Sequence, residues 1–172
     1  MRRLVAALAV AACAALTAGA ADDEKYASKD GKYAIQFPAG AKVTVETKTI
    51  ETTAGDIILT TTTAEAGDRS FAVLVGQMPA GAKDIPVKTL FDNGEAGGVA
   101  RSGGKLISSK DFTLGARKLP ARDVVVEADG GKFRSRFVYA DGRLYALTVD
   151  GKKDFGTSKE ATAFLDSFEL TK

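Results

Sequence analysis

Residues 122–150 read Arg-Asp-Val-Val-Val-Glu-Ala-Asp-Gly-Gly-Lys-Phe-Arg-Ser-Arg-Phe-Val-Tyr-Ala-Asp-Gly-Arg-Leu-Tyr-Ala-Leu-Thr-Val-Asp. Two Asp-Gly pairs, Asp129-Gly130 and Asp141-Gly142, divide this stretch into three β-branched and aromatic runs. Asp-Gly between alternating apolar residues is a two-residue hairpin signal, and the turn sets the register. Counting outward from the first turn puts Glu127 opposite Lys132, Val125 opposite Arg134, and Asp123 opposite Arg136. Counting from the second puts Arg136 opposite Leu147 and Arg134 opposite Val149. One sheet face then carries Val125, Tyr145, Leu147 and Val149 with Asp123, Glu127, Lys132, Arg134 and Arg136. The other carries Val124, Val126, Phe133, Phe137, Tyr139 and Leu144. Both faces are substantially apolar, so both require covers.

The same alternation extends upstream. Tyr33–Phe37, Val43–Lys48, Ile57–Ala64, Phe71–Gly76 and Leu106–Leu114 read as strands, for about eight in all. Thr60–Thr63 is best read as β-branched strand filler, with a hydroxyl array binding a surface or glycan the weaker alternative. Two helices supply the covers. Residues 87–101 follow Pro86 and place Leu90, Phe91 and Val99 on a stripe that Gly94, Gly97 and Gly98 weaken. A C-terminal helix carries Ala161, Phe164, Leu165 and Phe168 at helical spacing, with Thr157 as N-cap and Glu160 closing a capping box. The expectation is an α+β domain: an antiparallel sheet of six to eight strands flanked by two main helices.

The ends of the chain divide it. Met1-Arg2-Arg3, the uncharged run Leu4–Leu16 and the small residues Ala18 and Ala20 have the form of a secretory signal peptide, residues 1–20, cleaved after Ala20. A short acidic segment occupies 21–25, and a single domain occupies 26–172. A second reading makes Cys13 the acylated residue of a lipoprotein signal. Only nine residues separate Arg3 from Cys13, and the Ala-Gly-Ala site downstream would then have no purpose. Cleavage after Ala20 takes Arg2 and Arg3 from the 24 basic residues, leaving 22 against 22 acidic ones, and removes the single Cys.

Composition excludes whole chemistries. With no His, the chain has no Ser-His-Asp triad, Cys-His dyad or His-ligated metal site. A neutral mature chain lacks the basic excess of a nucleic-acid binder. The Asp-Gly sites lack calcium-loop spacing, and the Gly-rich segment 94–104 lacks the Gly-Lys-Ser/Thr of a phosphate loop. Asp123 and Glu127 share a strand face but lie about 13 Å apart by strand rise, too far for most hydrolytic carboxylate pairs. No cofactor and no metal are expected.

Arg134 and Arg136 are the candidate binding residues, with Tyr145 beside them on the same face. They suit a carboxylate, a phosphate or an acidic partner. The competing reading is a cross-strand charge ladder with Asp123 and Glu127, and the register favours the ladder. Arg134, between Val125 and Val149, is the less neutralised of the two.

Three segments resemble a known family: Tyr26–Pro38 as YxSxDGxYxIxFP, Gly142–Val149 as GRLYxLxV, and Ala163–Leu170 as xFLxSFxL. Together they resemble small exported bacterial domains related to the Mog1/PsbP-like α/β/α sandwich, across nearly all of residues 26–170. The resemblance implies an antiparallel sheet between helices and an accessory or binding role; its motifs are structural, and no functional residue carries over. The functional expectation is an exported, non-catalytic domain, periplasmic or secreted, that binds an envelope or extracellular protein. A small-ligand carrier using the mixed apolar and basic face is the alternative, which a cavity between sheet and helix would distinguish. A carboxylate hydrolase is the third reading. Membrane contact is expected only through the signal peptide or a lipidated Cys13.

Overall fold

The computed structural model describes residues 25–172, apart from 54, 83 and 129. The proposed signal peptide, Cys13, most of the acidic segment and Asp129 therefore lie outside the described residues. The described residues form, in chain order, β1 (Tyr26–Ser28), β2 (Tyr33–Ile35), β3 (Lys42–Ile50), β4 (Ile57–Ala66), β5 (Arg69–Gln77), α1 (Val87–Ser102), β6 (Lys105–Leu114), β7 (Leu119–Ala128), β8 (Gly131–Ala140), β9 (Arg143–Asp150), α2 (Lys159–Asp166) and β10 (Glu169–Leu170), with short 3₁₀ turns between. Seven strands form one antiparallel sheet in the order β3-β4-β5-β9-β8-β7-β6, and β1-β2-β10 form a separate three-stranded sheet.

The hairpin arithmetic holds residue for residue. Asp123 faces Arg136, Val125 faces Arg134 and Glu127 faces Lys132. Arg134 faces Val149 and Arg136 faces Leu147. Asp141 and Gly142 have φ of 50° and 74°, the paired positive values that a type I′ turn demands and that Asp and Gly tolerate. Each large-sheet face has its own core. Phe71, Val73, Val138, Tyr145, Leu147 and Val149 point to the face covered by α2 and the small sheet, where Tyr33, Ile35, Phe164, Leu165 and Phe168 meet them. Val124, Val126 and Phe137 point to the other face and pack on Phe91, with Val87 and Val99 of α1 completing that cluster.

Three expectations are corrected. The strand at Tyr33 ends at Ile35, and it belongs to the small sheet, not to the main one. Its partners β1 and β10, of three and two residues, are too short to show a period. The final helix stops at Asp166, and Glu169–Leu170 pairs with β2 as a strand. Its N-cap is Ser158, whose Oγ accepts from the Ala161 N–H at 3.1 Å; Thr157 instead donates its hydroxyl to the Asp154 carbonyl. Glu160 turns away from the cap and takes two bonds from Arg69 Nη1, at 2.7 and 2.6 Å.

Gly94 lets α1 approach the sheet. A Cβ built there would lie 2.7 Å from Cε1 of the Phe137 ring, whereas one at Gly97 would meet nothing within 4 Å. A Cβ at Gly98 would meet the Phe133 ring only at 3.9 Å, an ordinary contact, so of the three glycines that weaken the helix in isolation one is required by packing and two are not.

Candidate functional site

Arg134, Arg136 and Tyr145 lie on the face beneath α2. Two residues apart on β8, the arginines project together, and Asp123 on β7 receives both. Its Oδ2 accepts from Arg134 Nη2 at 2.6 Å, and its Oδ1 from Arg136 Nε at 2.9 Å. Arg136 continues to α2: Nη1 donates to the Leu165 carbonyl at 3.0 Å and to Asp166 Oδ1 at 2.8 Å. The guanidinium also stands over the Phe112 ring, 5.2 Å from its centroid. Arg134 donates to Thr162 Oγ1 on the same helix at 3.2 Å. A carbonyl at the helix C-terminus is a natural acceptor for a cation, because the last carbonyls lack intrahelical donors. The arginine–aspartate cluster thus ties α2 to the middle of the sheet.

Burial and charge act against each other here. Burial by itself raises the Asp123 carboxyl, but the bonds from Arg136 and Arg134 outweigh it and hold the group below the usual carboxylate range. Burial likewise disfavours the charged Arg136, and the bonds to Asp123 and Asp166 more than restore it. Only 6% of the Arg136 side chain is exposed, against 17% for Arg134. Tyr145 is 1% exposed, and its hydroxyl donates to the Gly31 carbonyl at 3.0 Å. Tyr33 answers it from the small sheet: its hydroxyl donates to Thr62 Oγ1 at 2.9 Å, and burial pushes it up to about 12. The three candidate residues are brought together, but their polar atoms are directed into the fold.

A second arginine hub occupies the opposite face. Arg122 is 5% exposed. It donates to Asp111 on β6 through Nε and Nη2 and to Asp92 on α1 through Nη1, at 2.5, 3.1 and 2.7 Å. Glu95 stands 3.6 Å away, and the Phe91 ring lies under the guanidinium. The bonds to Asp111 and then Asp92 raise the Arg122 guanidinium despite burial, and the carboxyl of Asp111 is lowered by the same bonds. Arg122 shares the parity of Val124 and Val126, so it stands on a face that must be covered. A charge at such a position was the available signal for this hub. Asp92 and Asp111 have arginine partners, as does Asp123. Among the described residues, no group of three or more Asp, Glu, His or Cys is placed to hold a metal ion.

Two surface clefts flank the covers. One of about 330 Å³ lies beside α2, with Phe37, Phe71 and Phe164 in its wall, and one of about 380 Å³ lies between Ser102, Gly130 and Lys152. Neither is lined by Arg134, Arg136, Tyr145 or Leu147.

Among the described strands, β3 of the β3–β4 hairpin is the least covered. All nine residues of β3 are exposed. Val43, Val45, Thr47 and Thr49 share a face with Ala64, Thr62, Thr60 and Ile58. Ala64 and Thr62 are buried beneath the small sheet, while Val45 is 53% exposed and Ile58 45%. The eight-residue α2 and the short strands β1, β2 and β10 end before they reach β3. On the outer side, the N–H and C=O groups of an edge strand have no ladder partner. No known family model matches the chain, and no curated protein is significantly similar to it.

Proposed function

We propose that the chain is an exported, non-catalytic interaction module of the cell envelope, and that it contacts another polypeptide by strand pairing along β3. The observation that carries this reading is the β3–β4 hairpin. It has a nine-residue strand exposed on both faces and one edge, with Val43, Val45, Ile50 and Ile58 all exposed. Main-chain pairing to a sheet edge supplies affinity, and alternate side chains supply selectivity. Arg134, Arg136 and Tyr145 support this function indirectly, by holding the fold that presents the hairpin.

Export rests on the signal-peptide pattern of residues 1–20, and the non-catalytic reading on the absence of His and the arginine partners of Asp111 and Asp123. The sheet between α1 on one face and α2 on the other is consistent with the Mog1/PsbP-like sandwich that the three motifs resemble. Among the described residues no helix is long and apolar enough to cross a membrane.

The test places a photo-crosslinking residue at Val45, and separately at the exposed Arg101 on α1, in the producing cells. A discrete protein adduct at Val45 and none at Arg101 is the expected result. Adducts at Arg101 alone, or at neither, would overturn the reading.

A further inference from the structure

The two edges of the large sheet differ. On β6 the register with β7 shifts between Leu106 and Ser108, leaving Ile107 as a bulge. Asp111 and Ser109 on that strand are turned toward Arg122 and Glu95. Bulges and twisted edges hinder further pairing. On β3 the register with β4 runs unbroken from Lys42 to Ile50. The strand contains no proline, and its charges are Lys42, Glu46 and Lys48. Edge charges commonly guard against pairing, but here their signs alternate.

Resting on the reading of β3 as the contact strand, we propose that its occupant is β3 of a second copy of this chain, paired antiparallel about a two-fold axis at Thr47. A two-fold perpendicular to the sheet brings together residues of equal parity, so each possible register is centred on one residue. Centring on Val45 sets Lys42 against Lys48 of the other copy. Centring on Glu46 sets Glu46 against itself, and centring on Lys48 sets Lys48 against itself. Like charges directly opposite destabilise a pair. Centring on Thr44 avoids this but overlaps only residues 42–46. Centring on Thr47 overlaps residues 44–50 and sets Glu46 against Lys48 twice. It also sets Val45 against Thr49 and Thr44 against Ile50. Glu46 and Lys48 already lie 3.9 Å apart within the strand, so the two copies close a ring of four alternating charges. The result is one continuous fourteen-stranded sheet, with the exposed Val43, Val45 and Ile58 of both copies brought to one face.

The test uses the full chain with Cys13→Ser, so that an introduced cysteine is the only one. Residues opposite each other in an antiparallel pair have Cα atoms about 4.5–5.5 Å apart, within the disulfide range. Thr47→Cys is therefore expected to shift, under mild oxidation, to twice the chain mass and back on reduction. Val45→Cys alone is expected to stay at the single-chain mass, because the two copies of residue 45 lie about 14 Å apart along the strand. Mixing Val45→Cys with Thr49→Cys restores the dimer. Adding Glu46→Lys to Thr47→Cys reduces the dimer yield, and the exchange Glu46→Lys/Lys48→Glu recovers it. A Thr47→Cys chain that stays at the single-chain mass, or a Val45→Cys chain that dimerises as readily, overturns the proposal. The Val45 photo-adduct separates the two failures. An adduct of a mass other than twice the chain leaves the hairpin reading standing and removes the second copy; no adduct removes both.

Discussion

Replacing Asp123 by Ala leaves two arginines without their shared carboxylate. Three bonds disappear, from Arg134 Nη2, Arg136 Nε and Arg136 Nη2. Arg136, with a 6% exposed side chain, then stands under α2 as a buried charge. Removing one partner of a buried pair costs about 3–5 kcal/mol. Arg136 retains Asp166 and the Leu165 carbonyl, so the lower end, about 3 kcal/mol, is expected. In urea, with a slope of about 2 kcal/mol per molar, the midpoint should fall by about 1.5 M. Asp166→Asn removes the other carboxylate, which is 60% exposed, and should cost less than about 1 kcal/mol. Adding Arg136→Met to Asp123→Ala removes the stranded charge and should recover part of the loss, which a double-mutant cycle reads directly. An Asp123→Ala midpoint within about 0.3 M of the parent, equivalent to less than about 1 kcal/mol, would refute the assignment of this carboxylate as the anchor of α2.

Other predictions concern stability. The folded Asp123 carboxyl lies below its unfolded value near about 3.9, so its contribution is present above about pH 4 and is lost as pH falls through the folded value. Urea midpoints measured down the acid limb should fall less steeply in Asp123→Ala than in the parent. Gly94→Ala forces the Phe137 ring to shift and should destabilise by about 1 kcal/mol, whereas Gly97→Ala, with open space around it, should stabilise by up to about 1 kcal/mol; equilibrium unfolding of the pair separates packing from propensity. Ser158→Ala should cost about 1 kcal/mol, and Thr157→Ala much less, by the same measurement.

The part of the fold governed by local rules was legible. Two Asp-Gly pairs and strict alternation placed the β7–β8 and β8–β9 partners, because a one-residue slip would have reversed both faces; the pairing of β7 with β6 and of β9 with β5 had no such turn to set it. The reading lost force where elements are short or partners remote. Tyr26–Ser28 and Glu169–Leu170 have three and two residues, and their pairing to β2 follows from tertiary packing. Thr157 and Ser158 are both good caps; the 3₁₀ turn at Phe155–Thr157 occupies the first and leaves Ser158 at the helix start. The arginines were located correctly on their face, but their helix partners Thr162, Leu165 and Asp166 lie about 30 residues away, beyond any spacing rule. The exposure of β3 was hidden for a related reason: Val43 and Val45 alternate as a core strand does, and only the reach of α2 and the small sheet decides that nothing covers them.

Three chains compared in the producing cells test the central claim most directly: the parent, Val43→Asp/Val45→Asp, and Arg134→Gln, each purified after in-cell crosslinking and also unfolded in urea. The account predicts that the valine variant keeps the parent's urea midpoint and loses the crosslinked species, while Arg134→Gln loses stability and keeps that species. A valine variant that crosslinks like the parent, together with an Arg134→Gln chain of unchanged stability that does not, would contradict it and return the contact surface to the arginine face.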